Sequence, residues 1–163
     1  YQPRSFTITL SMLGSREKFN QRKDILTNLC AGQLCQVLLS EEPDLYAVGT
    51  LELEPAYDPL TGKGQMVLSC SDGDAYRYHT EETEVSITGG GTVILNNDYM
   101  PVVPTVITTV ETALSWSIGE DVFKKSVSAG TWTFPELELQ EGHNSVSITG
   151  EGTTTFRYRE GRL

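Results

Sequence analysis

Cationic side chains are scarce in this chain: 12 Lys and Arg stand against 22 Asp and Glu, a formal charge of −10. The deficit is evenly spread. Residues 1–82 carry 7 basic and 12 acidic side chains, and residues 83–163 carry 5 and 10. Duplex binding works through several cationic contacts to phosphates, with release of counterions. Neither half offers that supply, although Arg157, Arg159 and Arg162 gather near the end. The balance argues against nucleic-acid recognition. Long apolar runs are also missing. No stretch approaches the roughly 20 residues that cross a bilayer as a helix, and no basic-flanked apolar leader is present. No membrane insertion is expected.

Cysteine and histidine are equally sparse. Three cysteines, Cys30, Cys35 and Cys70, are an odd number at irregular spacing, which speaks against a disulfide framework. They read as small buried side chains of a reducing compartment. A zinc site from these three and His79 fits no usual ligand spacing. His79 and His143 both sit in polar stretches expected to be turns. There is no nucleophile elbow and no other nucleophile signature for a histidine to serve. Carboxylates are plentiful, but Glu41-Glu42 and Glu81-Glu82 read as solvated turns. Glu52 and Glu54 read as a wet strand face opposite Leu51 and Leu53. Asp72-Gly73-Asp74 lacks the further oxygen ligands and closing Glu of a calcium loop. No catalytic residue, cofactor or metal ligand is assigned, and the chain is expected not to be an enzyme.

What is present is β-rich. The 163 residues are 38% hydrophobic and 21% charged, enough for one globular domain or two small ones. The chain begins at Tyr1 rather than Met, within a strand-like stretch, and is expected to be a fragment or processed product. In residues 4–13, Phe6, Ile8, Leu10 and Met12 alternate with Ser and Thr, the period of a half-buried strand. Ser15 reads as an N-cap, with Glu17 in the first turn. A helix of about 15–31 follows, with Phe19, Leu26, Leu29 and Cys30 inward, Arg22 and Lys23 outward, and Gly32 as its stop. Strands are then expected at 33–40, at 45–54 with a bulge at Gly49, and at 65–71. Residues 55–64 read as a turn-rich loop and Asp72-Gly73-Asp74 as a turn.

Composition changes near residue 80. Short β-like runs follow at 83–88, 92–96, 102–110, 112–118, 121–127, 131–134, 136–140, 144–149 and 153–159. Runs of this length, separated by Gly, Asn, Asp and Pro, predict an antiparallel sandwich or barrel. One echo stands out: Val85-Ser86-Ile87-Thr88-Gly89-Gly90-Gly91-Thr92 returns as Val146-Ser147-Ile148-Thr149-Gly150-Glu151-Gly152-Thr153. It reads as two hairpins that share a Gly-rich turn. A phosphate loop would need a helix after the glycines, and strands follow instead. Trp116 shares a face with Leu114 and Ile118, and Trp132 starts a strand before Phe134 and Pro135. Both are expected to pack between sheets; an exposed Trp116 or Trp132 could instead stack on a sugar ring.

The order of motifs carries a resemblance. The helix segment LGSREKFNQRKDIL (13–26) is followed by LLSEEPDLYAVGTLELE (38–54) and GQMVLSCSDGDAY (64–76), and a β-domain closes on GTTTFRYREGRL (152–163). The chain resembles the distal tail proteins of long-tailed bacteriophages and prophages over nearly its whole length. Glu42-Pro43-Asp44-Leu45-Tyr46 matches that family's acidic turn before a strand. Leu68 to Tyr76 matches the segment closing its N-terminal domain, and Tyr158-Arg159-Glu160 matches its C-terminus. The family's Asp-Pro is Gly73-Asp74 here, and its N-terminal domain begins well before Tyr1.

The resemblance implies a mainly β protein in two parts. Residues 1–80 would be the later portion of an α+β, tail-tube-like ring domain, and residues 81–163 a galectin-like antiparallel β-sandwich. It implies a structural virion protein, a hexameric ring at the tail tip that joins the tail tube to the tail-tip hub and to receptor-binding or baseplate proteins, assembled in the bacterial host cytoplasm. An acidic ring bore would let DNA pass without sticking. The alternative is a carbohydrate-binding β-sandwich module attaching to cell surfaces through Trp116 or Trp132; a tail-borne cell-wall hydrolase is a third reading.

Overall fold

The computed structural model describes residues 2–163; residue 1, where the expected first domain begins, lies outside the described residues. Two units divide the chain, one running through Arg77 and the other from Tyr78 to Leu163. Strands dominate both, and the architecture is mainly β.

The first unit orders β1 (Arg4–Leu13), α1 (Arg16–Cys30), β2 (Leu34–Leu39), β3 (Glu42–Thr50), β4 (Glu52–Asp58) and β5 (Lys63–Gly73). β5 is the centre of an antiparallel sheet in the order β1-β5-β4, and β2 pairs antiparallel with β3. Phe6 and Ile8 on the apolar face of β1 are only half-buried, and Leu10 is 38% exposed. α1 starts where the Ser15 side chain accepts from Lys18 N at 3.4 Å, which satisfies one of the helix's free N–H groups. Its one fully buried residue is Phe19, packed 5.2 Å from the Tyr57 ring. A Cβ on Gly64 would lie 2.4 Å from the Phe19 ring, so a glycine there lets the helix sit down on β5.

Several sequence expectations change here. Leu29 does not face inward; it is 67% exposed, while Lys23 is half-buried. The reason is angular: Phe19, Lys23, Leu26 and Cys30 form the stripe against the sheet, and Leu29 belongs to the next stripe. Residues 55–58 are strand rather than loop. Pro55 is tolerated because β4 is an edge strand. Only the tip at 59–62 turns, organised by Asp58, whose carboxylate accepts from Leu60 N at 2.9 Å and Thr61 Oγ1 at 2.6 Å. The bulge is not at Gly49. Leu38 pairs with Tyr46 and Leu39 with Glu42, so Pro43, Asp44 and Leu45 form the excess, and Glu42 lies in β3 rather than in a turn. Gly49 serves close packing, since a Cβ there would stand 2.3 Å from Cys70 Sγ and 3.0 Å from Gly73 Cα. β5 runs on through Asp72 and Gly73, and Asp72 Oδ1 accepts from Thr50 N at 3.1 Å.

β6 (Arg77–His79) lies where the chain passes between the units. The second unit continues with β7 (Thr83–Thr88), β8 (Gly91–Asn97), β9 (Thr105–Thr108), β10 (Thr112–Ile118), β11 (Asp121–Val127), β12 (Gly130–Thr133), β13 (Gly142–Thr149), β14 (Thr153–Tyr158) and β15 (Gly161–Arg162). Two four-stranded antiparallel sheets, β11-β10-β13-β8 and β12-β9-β14-β7, form a sandwich. Leu95, Leu114, Trp116, Val146 and Ile148 from the first sheet meet Val106, Phe156 and Tyr158 from the second in one core. Residues 136–140 are not a strand. Apart from an isolated bridge between Leu139 and Val102, the segment is irregular, yet Phe134, Leu137 and Leu139 plug the core at 8%, 2% and 1% exposure. Residues 102–110 contribute strand only at 105–108, after the buried Pro104.

The repeated Gly-rich segments are not hairpins. β7 and β8 lie in different sheets, as do β13 and β14, so each segment is an arch crossing the sandwich. The two arches pair with each other, β7 with β14 and β8 with β13, and Gly89 N donates to Gly152 O at 2.9 Å. The glycines answer different needs. Gly89 has φ 82°, whereas a Cβ on Gly152 would strike Thr109 and Val110 at 2.5 Å.

Candidate assembly surface

Apolar burial divides unequally between the units. Among the described residues, thirteen of the 19 buried hydrophobic residues belong to the second unit and six to the first. Exposed large hydrophobics reverse the ratio: eight of 12 lie in the first unit, among the described residues. Scattered exposed apolar side chains are ordinary, whereas a contiguous group marks a contact surface.

Two such groups are built on named elements. On α1, Lys18, Arg22, Ile25 and Leu29 recur at helical spacing as a second stripe beside the anchoring one, with Ile25 57% and Leu29 67% exposed. Between this stripe and β1 runs an open groove of about 470 Å³, walled by Leu10, Met12, Ile25, Leu26 and Met66 with Arg22 at its side. The second group is β2, which pairs with β3 and, among the described residues, ends its sheet. It carries no charge and exposes Leu34, Leu38 and Leu39 at 74%, 55% and 49%. An exposed apolar edge strand invites pairing with another chain.

Charge follows the same division. α1 carries Arg16, Lys18, Arg22 and Lys23 against Glu17 and Asp24. Residues 34–62 carry Glu41, Glu42, Asp44, Glu52, Glu54 and Asp58 and no Lys or Arg. Glu42 is engaged by Arg77 and Asp24 by Lys23. Sequence reasoning placed Leu29 inward and read β2 as a plain apolar run, so it missed both surfaces. The signal was present in the second 18-22-25-29 stripe and in the uncharged strand before an acidic segment.

The residues singled out for chemistry are dispersed. Trp116 is 4% exposed, donates Nε1–H to Glu136 O at 2.9 Å, and stacks on Phe123 at 5.7 Å. No ring face is open to a sugar. Trp132 is half-buried against the core, and its Nε1 donates to Ser128 O at 3.1 Å. His79 and His143 stand on strands rather than turns; His79 Nε2 lies 3.1 Å from Asp98 and His143 Nδ1 2.6 Å from Asn96 Oδ1. Among the described residues no group of three His, Cys, Asp or Glu is placed to hold a metal ion. Cys30, Cys35 and Cys70 are thiols. Burial raises Cys30 and Cys70 above the ordinary thiol pKa, with Cys35 adding to the rise at Cys30. The thiolate, the nucleophilic form, is thereby disfavoured. Asp58 and Asp72 shift below the usual carboxylate range because Thr61 and Thr50, respectively, hydrogen-bond their charged forms. Both are structural turn and strand contacts.

No protein-family model matches the chain, and no curated protein matches it. Among solved structures it is similar to the crystal structure of the Dit protein of SPP1, which is described as a paradigm of the hub adsorption apparatus in phages infecting Gram-positive bacteria. Sequence identity is 15%, the match covers 99% of this chain and 79% of that one, and the TM-score is 0.69. The likeness extends across both units, so the chain has the fold of that protein along nearly its whole described length.

Proposed function

We propose that this chain is a structural component of a phage tail tip: a distal tail protein that assembles into a hexameric ring and joins the tail tube to the hub and host-recognition proteins. The fold match carries the reading, because it covers 99% of this chain, the helix-bearing unit and the β-sandwich alike. The motif resemblance from Glu42 to Tyr46 and from Leu68 to Tyr76 supports it independently of the fold. So does the uncovered apolar surface of the first unit, which suits a subunit that acts by packing against neighbours. On this reading the chain transforms no molecule. Assembly takes place in the host cytoplasm, where Cys30, Cys35 and Cys70 stay reduced, and the protein acts at the virion tail tip.

Negative-stain electron microscopy of the concentrated protein tests the proposal. Ring-shaped particles with a central bore are expected. Monodisperse monomers that bind glycans would overturn it in favour of a carbohydrate-binding module.

A further inference from the structure

We infer that subunits dock head to tail, the Lys18–Arg22–Ile25–Leu29 face of α1 on one copy seating against β2 and the acidic segment after it on the next. The inference rests on the ring-forming reading and names the surfaces that would build the ring.

Three observations lead to it. First, both surfaces are apolar and open in a single copy. Ile25 and Leu29 project from α1, and Leu34 and Leu38 project from β2. Covering them removes apolar area from water, the main favourable term in association. Second, their charges are opposite. Lys18 and Arg22 have no acidic partner among the described residues, and Glu41, at the end of β2, has no cationic one. Desolvated together they would steer and register the contact, whereas a helix face meeting another helix face would set like charges against each other. Third, the two surfaces are unlike. A contact between unlike surfaces repeats around a ring or along a filament, while a contact between identical surfaces stops at a dimer.

A different protein could cover either surface, but the complementarity lies within this one sequence. The uncharged apolar strand followed by Glu41 matches, in order, the apolar and cationic ends of the α1 stripe. That favours a second copy as occupant.

The experiment uses the full chain with R22E, E41K, the combined R22E/E41K variant, and L29D, followed by sedimentation velocity and electron microscopy. All three altered positions are exposed in one copy, so thermal unfolding of dilute protein should match the unaltered chain. Each single charge reversal is expected to weaken self-association about ten-fold or more, and L29D likewise. Combining both reversals in one chain should recover most of the loss, because the pair is re-formed with exchanged signs. An equal mixture of R22E and E41K chains should also assemble, with the two kinds alternating. Rings that form equally well from every variant would overturn this docking and leave the ring-forming reading standing. A combined variant no better than either single one would overturn it too. An unaltered chain that stays monomeric at roughly 100 µM would remove both.

Discussion

At the scale of single residues, two positions show how tightly the units are specified. Gly49 faces the Cys70 sulfur and the Gly73 backbone at distances that admit no side chain. Gly49→Ala must push β3 away from β5, and it should cost about 1–3 kcal/mol, read as a lower denaturation midpoint with the slope unchanged. Tyr158 is 3% exposed and donates its hydroxyl to Asn96 O. Burial, assisted by Glu160, raises its pKa from about 10 to about 12. A raised phenol pKa means that the folded state holds its proton more firmly than the unfolded chain. The stabilisation is complete below pH about 10 and is lost as pH climbs toward about 12. An ultraviolet titration of phenolate should show a late-ionising component that Tyr158→Phe removes, with a flatter loss of stability across that window. At neutral pH the same substitution leaves Asn96 O without its donor, at a cost of about 1 kcal/mol.

At the scale of elements, α1 is held by few contacts. Phe19 is its one fully buried side chain, and on the next stripe Ile25 and Leu29 are 57% and 67% exposed. Phe19→Ala should therefore cost about 3–5 kcal/mol and raise amide exchange throughout α1 while the second unit stays protected. A variant that loses no helix protection would show that α1 is anchored elsewhere. The helix and the period-two strands were legible in the sequence because their signals are local: the Ser15 cap, the spacing of Phe19 and Leu26, the alternation from Phe6 to Met12. The arches were not. Val85 to Thr92 has the composition of a hairpin, and only long-range pairing of β7 with β14 and β8 with β13 makes it cross the sandwich. Pro55 misled in the same way, since nothing local says that β4 is an edge. Leu29 misled because adjacent helical stripes differ by little in sequence and decide burial entirely.

At the scale of the whole molecule, the two units have different degrees of self-sufficiency. Residues 78–163 own a core of 13 buried hydrophobic residues fed by both sheets. Expressed alone, they should fold cooperatively and remain monomeric, as judged by calorimetry and light scattering. The preceding unit, expressed alone, should bind a hydrophobic dye strongly and self-associate, because most of the large exposed apolar side chains are its own. A sticky sandwich and a well-behaved first unit would reverse this account.

The central claim is that the open α1 stripe and the β2 edge are covered by protein in the working state. Hydrogen exchange of the full chain, followed over a range of concentrations, tests it most directly. Protection in α1 and β2 should rise as the protein assembles, while the strands of the sandwich core exchange at an unchanged rate. Exchange at α1 and β2 that is independent of concentration, alongside particles that have assembled, would contradict it.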